Sequence, residues 1–338
     1  MASDGRLRFG VIGTGSIAAE FADALASSRS CAAVAVASRD AGRAKTFAQL
    51  HGVRASYGDY AALLGDPQVD VVYVATPHPQ HAEWAIAAAE RGKHVLCEKP
   101  LTMDRAEAEA VIAAADRNGV FLMEAFAYRF HPQTQRLLEL IREGAIGEVR
   151  AIDVTFAFGS EDAVGGRLLA RELGGGGILD VGCYCVSMSR QVVATASGAA
   201  TVEPVDVVGM ASLDPIERTD RYAMAILRFD GDVLAQLSCA VTLTQDDHVR
   251  VYGTQGHLHV PQPCWLGGRR DAASQIILTR PGSEPEAIDV PGGANIFALE
   301  ADGVAALLRE GIDTCRPSWD DTLANMRTLD RWRAAVGV

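Results

Sequence analysis

Gly13, Gly15 and Ala18 stand in the spacing of a turn built to hold phosphate. In GTGSIA, Gly13 permits the tight turn. Gly15 carries no side chain to keep a pyrophosphate from the backbone, and the small Ala18 lets a following helix pack closely on the preceding strand. With Ser16 and Ile17 opening that helix, the free N–H groups and the positive end of the helix dipole face the same point, so a dinucleotide is the ligand expected. A second candidate is the pair Asp180 and Tyr184, four residues apart behind the run Gly174–Gly177. Such spacing places both on one helix face. The pair reads either as a capping Asp with a core Tyr, or as two polar groups aimed at one ligand. A third is Lys99, which ends an apolar strand and precedes Pro100, a residue that biases Lys99 towards an extended backbone.

These residues need elements to hold them. Leu7 to Ile12 is an apolar run directly before the glycine turn, and Ala32–Ala37 follows at βαβ spacing. The end of that second strand carries Ser38, Arg39, Asp40 and, one helical turn on, Arg43. An acid at this place binds the ribose 2′-OH of NAD, whereas arginine accommodates the 2′-phosphate of NADP. Asp40 reads either as the ribose acid displaced by a residue or two or, preferably, as the N-cap of a helix over Ala41–His51. The hydroxyl and two guanidiniums therefore favour NADP over NAD. Asp70–Ala75 is a continuous apolar strand running into Thr76, Pro77, His78, Pro79, Gln80 and His81. Such a loop lies at the strand edge where cofactors bind in open sheets. A helix Glu83–Arg91, a strand His94–Cys97 ending in Glu98-Lys99-Pro100, a helix Asp104–Arg117 and a strand Val120–Met123 continue the alternation. This alternation predicts one parallel, doubly wound sheet.

GVIGTGSIA together with ATPHPQHAEWAIAAAERGKHVLCEKP resembles the glucose–fructose oxidoreductase/inositol dehydrogenase family. Within it, MEAFAYRFHP and GGGGILDVGCYCV are similar to the branch of NADP-dependent sugar dehydrogenases and dimeric dihydrodiol dehydrogenases. His78 departs from the family's pattern, which has Asn there. The resemblance implies that Lys99 points into a cleft beside the nicotinamide. It also implies that Asp180 and Tyr184 are catalytic, with Tyr184 where many relatives have His, and that Thr76, Pro77, His81 and Glu98 lie near the cofactor. A phenol titrates near 10, so serving as a base at pH 7 requires its anion to be stabilised by about 4 kcal/mol, which a close cation such as Lys99 can supply. On this expectation Tyr184 takes a proton from a carbinol whose hydride passes to the nicotinamide. Lys99 stabilises the oxyanion, and Asp180 orients hydroxyls or the lysine. Arg129 and His131, after the last strand of the first domain, are read equally as donors to a polyol substrate and as parts of an interdomain salt bridge.

The second half reads as a run of strands: Glu148–Phe158, Val205–Ser212, Ala223–Phe229, Val233–Val241, His248–Tyr252, Leu258–Pro261 and Ile276–Thr279, with Asp230-Gly231 as a hairpin turn. A helix Ile178–Val193 and closing helices Ile296–Arg309 and Thr322–Ala335 accompany them. The fold class expected is α/β: a Rossmann domain over 1–124, then over 125–338 an α+β domain with a large, mostly antiparallel sheet. The last helix would pack back on the first domain. The resemblance implies that a second copy covers the open sheet face, giving a homodimer or homotetramer. Residues 261–271, with Trp265, read as a surface loop or an interface.

In 338 residues the formal net charge is −12, which argues against the clustered Lys and Arg of a nucleic-acid-binding surface. Seven cysteines without a C-x-x-C fit a reducing cytoplasm. No apolar run reaches membrane-spanning length, and no histidine set is spaced for a metal. The partner expected is a small sugar or polyol. Two alternatives stand beside the dehydrogenase reading: an NAD-dependent glycosidase-like enzyme and a non-catalytic dinucleotide sensor.

Overall fold

The computed structural model describes residues 5–160, 163, 165–262, 264–265, 273–311 and 318–338. The chain forms two compact units, residues 1–130 with 294–322, and residues 131–293 with 323–338. The division falls a few residues after the expected boundary at 124/125, and the final segment is shared between the units.

In the first unit six strands lie in the order β3-β2-β1-β4-β5-β6, every pairing parallel. They are β1 (Leu7–Ile12), β2 (Cys31–Ala37), β3 (Ala55–Tyr57), β4 (Val71–Val74), β5 (His94–Glu98) and β6 (Leu122–Ala125). Between them run α1 (Ser16–Leu25), α2 (Ala41–Leu50), α3 (Tyr60–Leu64), α4 (His81–Glu90) and α5 (Arg105–Arg117). β4 is buried at every residue, which is why it reads as an unbroken apolar run: both faces of a parallel sheet are covered. Asp40, Asp59 and Asp104 cap α2, α3 and α5 by accepting backbone N–H groups three residues on. The chain order reverses between β1 and β4, and the carboxyl ends of these two strands form the crevice where an open α/β sheet binds its ligand.

The second unit is built on eight strands in the order β14-β13-β12-β11-β7-β10-β9-β8. After α6 (Pro132–Arg142) come β7 (Val149–Ala157), α7 (Cys183–Ser197), β8 (Asp206–Leu213), β9 (Asp220–Phe229), β10 (Val233–Ala240), β11 (His248–Gly253), β12 (Gly256–Val260), β13 (Ser274–Thr279) and β14 (Glu286–Val290). All neighbours pair antiparallel except β7 with β10. One face packs on α6 and α7. On the other, β8, β9 and β10 expose Val208, Met210, Met224, Ile226 and Leu234, so the period-2 pattern is apolar on both sides here. The chain then makes α8 (Ile296–Glu310), which belongs to the first unit, and α9 (Trp319–Val336), whose residues from Leu323 belong to the second.

The expected single helix over 178–193 is corrected. A π-helical turn, Ile178–Gly182, precedes α7. Short elements β3 and α3, and also α6 and β14, appear in addition to those anticipated. Among the described residues no helix is long and apolar enough to cross a membrane.

Candidate active site

The glycine turn does what its spacing demands. Gly13 has φ +110°, a conformation that L side chains rarely adopt, and a Cβ there would lie 2.5 Å from the carbonyl oxygen of Ala75 at the end of β4. Gly15 is the N-cap of α1, and nothing lies within 4 Å of where its Cβ would be. One glycine is therefore required by the protein's own backbone, while the other leaves open space at a helix N-terminus, the fit a pyrophosphate needs. Gly15 and Ser16 are exposed and Ile17 half-buried around that space.

At the end of β2, Ser38 is buried and its hydroxyl accepts the N–H of Asp40 at 3.3 Å. Asp40 caps α2, its Oδ1 accepting the N–H of Arg43 at 2.9 Å. The N–H groups of Arg43 and Gly42 hold its carboxyl below the usual range. Asp40 is thus engaged by its own helix, while the side chains of Arg39 and Arg43 lie on the exposed surface. Arg39 also reaches the hydroxyl of Tyr60.

Around Lys99 the backbone is fixed from several sides. The Lys99–Pro100 peptide is cis. Glu98, buried, accepts the hydroxyl of Tyr73 on one carboxylate oxygen and the Lys99 N–H at 3.2 Å on the other. His81, expected beside the cofactor or substrate, joins two turns of this region. It is fully enclosed, with Nδ1 2.9 Å from the Pro100 carbonyl and Nε2 2.9 Å from the Thr76 carbonyl. Burial, with Lys99 adding to it, holds the imidazole below its ordinary pKa. His81 ties the Thr76-Pro77 turn to the Lys99-Pro100 turn.

Arg129 and His131, expected as substrate donors or as parts of an interdomain salt bridge, each have a partner in the structure. Arg129 pairs with Asp321 at 2.7 Å inside the first unit, under the ring of Phe126. A buried charge needs such a partner. His131 is buried and caps α6, its Nδ1 accepting the Gln133 N–H at 3.2 Å. Each makes a structural contact inside its own unit.

The second unit presents Asp180 and Tyr184. Asp180, 9% exposed, lies in the π-helical turn, and its N–H donates to the Gly176 carbonyl at 3.1 Å. A guanidinium nitrogen of Arg167 lies 3.7 Å from its Oδ1. Tyr184 begins α7 one turn later, with its ring edge-to-face against Phe156 (centroids 5.2 Å apart) and Trp265 (5.8 Å). Phe156 and Trp265 stack on each other at 5.2 Å, and the indole N–H of Trp265 donates to the Thr155 carbonyl at 2.8 Å. Trp265 is thus a buried wall of this site, not a surface residue. The rest of the anticipated 261–271 loop, from 266 on, lies outside the described residues.

Residues 7–126 match the model of the oxidoreductase family with an NAD-binding Rossmann fold, and residues 134–259 that of the GFO/IDH/MocA C-terminal domain. The chain belongs to the GFO/IDH/MocA family. It is similar to D-xylose 1-dehydrogenase (NADP(+)) 2 of Haloferax volcanii, at 33% identity over 96% of this chain and 95% of that one. It is similar also to trans-1,2-dihydrobenzene-1,2-diol dehydrogenase of Xenopus laevis, at 36% identity over 76% of each. Among solved structures, a 3-ketoreductase from Actinomadura kijaniata in complex with NADP and TDP-benzene matches with a TM-score of 0.85 and 28% identity over 98% of each chain. The chain is accordingly an NAD(P)-dependent oxidoreductase of the sugar and dihydrodiol type within GFO/IDH/MocA, with the α/β architecture anticipated.

Three residues of the site carry no local signal in the sequence. Phe156 reads as one more strand residue, Trp265 as a loop residue, and Arg167 lies in a segment without periodicity. Only their proximity to Tyr184 or Asp180 marks them.

Proposed function

We propose that this member of GFO/IDH/MocA is an NADP-dependent dehydrogenase or reductase acting on a CH–OH carbon of an aldose or cyclic polyol, with Tyr184, Lys99 and Asp180 as its catalytic residues. The observation that carries the proposal is the pairing of a buried carboxylate with a phenol one helical turn away, the phenol ring set against an aromatic wall. Tyr184 moves the hydroxyl proton of the substrate. Lys99 stabilises the phenolate and the substrate oxyanion. Asp180, with Arg167 beside it, orients neighbouring hydroxyls. Phe156 and Trp265 offer an apolar wall against which the C–H face of a sugar ring can lie. The nicotinamide, when bound, supplies the hydride acceptor or donor.

Gly13, Gly15, Ser16 and Ile17 would hold the pyrophosphate. Ser38, Arg39 and Arg43 would hold the 2′-phosphate. Thr76, Pro77, Glu98 and Lys99 would shape the nicotinamide end. Engagement of Asp40 as a helix cap supports NADP over NAD. So do the chain's relatives, among them an NADP(+)-dependent xylose dehydrogenase and a ketoreductase solved with NADP. That ketoreductase was also solved with a lysine replaced by alanine and with a tyrosine replaced by phenylalanine. Neither the glycosidase nor the sensor alternative is favoured by these relatives. The apolar face of β8–β10 supports association of two copies through the second unit, because patches of this kind mark interaction surfaces. Cysteine usage supports a cytoplasmic setting.

The test is absorbance of reduced nicotinamide with NADP⁺ or NAD⁺ and D-xylose, D-glucose or a trans-dihydrodiol. NADP⁺-dependent turnover is expected, and Tyr184→Phe should lower kcat by about 10²–10⁴-fold while the dinucleotide Kd stays unchanged. A Tyr184→Phe enzyme that keeps most of its rate removes Tyr184 from the acid–base role.

A further inference from the structure

We infer that Asp220, the first residue of β9, positions the Asp180–Tyr184 turn for catalysis. The inference rests on the catalytic reading of that turn. Asp220 is remote in sequence and 3% exposed. Its Oδ2 accepts the N–H of Ile178 at 2.7 Å, and the Gly177 N–H is a further donor to it. The π-helical turn has no cap of its own, since the residue before it is Gly177, whose missing side chain caps nothing. Asp220 is therefore its N-cap, supplied from a neighbouring strand.

The glycine run is shaped to admit this carboxylate. A Cβ on Gly176, at φ +116°, would overlap Oδ1 of Asp220, and one on Gly177 would come within 3.2 Å of Oδ2. On the upstream side, the hydroxyl of Thr219 donates to the Leu169 carbonyl at 2.7 Å, tying the preceding loop to the same strand. On the downstream side, Gly182 is pressed by Cys239 and Trp332, each 3.1 Å from where its Cβ would be. The turn that carries Asp180 and delivers Tyr184 is thus gripped along its length, and Asp220 is the carboxylate that caps its start.

The groups facing Asp220 are the N–H groups of Ile178 and Gly177, its own N–H, Arg333 from α9 and the thiol of Cys239 from β10. Burial is the largest influence, and it pushes the carboxyl up to about 7 against the N–H groups and Arg333. Below that pH the group is neutral and its bonds to the N–H groups are ordinary. Above it, the carboxylate accepts charge-assisted bonds, which are about twice as strong. The turn therefore tightens as pH rises through 7. Stability moves the other way. A carboxyl whose folded pKa is raised contributes stability that is full below the unfolded pKa and lost as pH rises through the folded one. A merely structural carboxyl would leave activity to follow stability downward, whereas a positioning carboxyl makes the two diverge.

The experiment compares Asp220→Ala, Asp220→Asn and Tyr184→Phe in the full chain. It measures kcat with NADP⁺ and D-xylose, dinucleotide Kd by protein fluorescence, and amide exchange over residues 176–184, each at pH 6 and pH 8. Asp220→Ala should lower kcat about 10²-fold, as a small misplacement of a catalytic group does, with Kd unchanged and faster exchange at Ile178. Asp220→Asn, which keeps an acceptor oxygen, should recover most of that loss and abolish the pH dependence of exchange protection. Loss in Tyr184→Phe with none in a folded Asp220→Ala overturns this inference alone, while retained turnover in Tyr184→Phe overturns the reading beneath it. If Asp220→Ala does not fold, Asp220→Asn decides: a pH step in exchange that survives the substitution overturns the inference.

Discussion

Two glycine-rich turns feed helices in this molecule, and they need glycine for opposite reasons. In the first unit, the phosphate turn needs Gly13 because the carbonyl of Ala75 closes on it, and leaves Gly15 facing open space at the N-terminus of α1. In the second unit, Gly175 is closed by the backbone of Leu169 and Ala170, and Gly176 and Gly177 by the carboxylate of Asp220. The first turn stays open where a ligand's charge can enter. The second is filled by the protein's own carboxylate, so what it offers outward is the side chains of Asp180 and Tyr184. Gly15 is bare at the N-terminus of a helix, where an anion can enter, whereas Gly176 and Gly177 make room for a side chain that positions the turn.

The contrast breaks most severely at Gly13. Gly13→Ala forces a left-handed residue and a clash with Ala75, so unfolding free energy should fall by about 3 kcal/mol in chemical denaturation, and dinucleotide binding should be lost. Gly15→Ser sharpens the same contrast from the other side. Its backbone, φ −79° and ψ 178°, suits any residue. Serine is also the better N-cap, so stability should hold or rise by a few tenths of a kcal/mol. Dinucleotide affinity should nevertheless fall about tenfold to a hundredfold in a fluorescence titration, because the hydroxymethyl occupies the space of the phosphate. Equal affinity in wild type and Gly15→Ser would show that the phosphate lies elsewhere.

How much of this can be read from the sequence follows from how local each signal is. The parallel strands are apolar runs because both faces are buried, and the caps Asp40 and Asp104 lie next to the helices they start, so the first unit is legible nearly element by element. α6 carries local signals too, with Pro132 in its first turn and Leu137, Leu138 and Ile141 buried on a face that Arg136 and Glu139 do not share, although it is absent from the elements anticipated above. β3, with three residues, is too short to show alternation. At the site, the four-residue spacing of Asp180 and Tyr184 is visible, but the choice between cap-and-core and ligand-facing readings is not, since it depends on Phe156, Trp265 and Asp220 arriving from other strands. His81, Arg129 and His131 show the converse. Their residue types suggest ligand contact, and only tertiary packing reveals that each makes a structural contact within its own unit.

The smallest expected effect lies at the edge of the phosphate turn's unit. Arg39 and Arg43 are exposed, so each contributes to binding through a solvent-screened contact. Asp40 accepts the N–H groups of Gly42 and Arg43 as the cap of α2. Arg39→Ala should therefore raise the Kd for NADP by about tenfold, the scale of one charge-assisted hydrogen bond, and leave the Kd for NAD unchanged. The ratio of the two constants is the quantity to follow, because Arg39 also reaches Tyr60, and any loosening of α3 by its loss would weaken both dinucleotides equally. A fall in affinity shared by NADP and NAD assigns Arg39 to packing alone, and a ratio that shifts towards NAD assigns it to the 2′-phosphate.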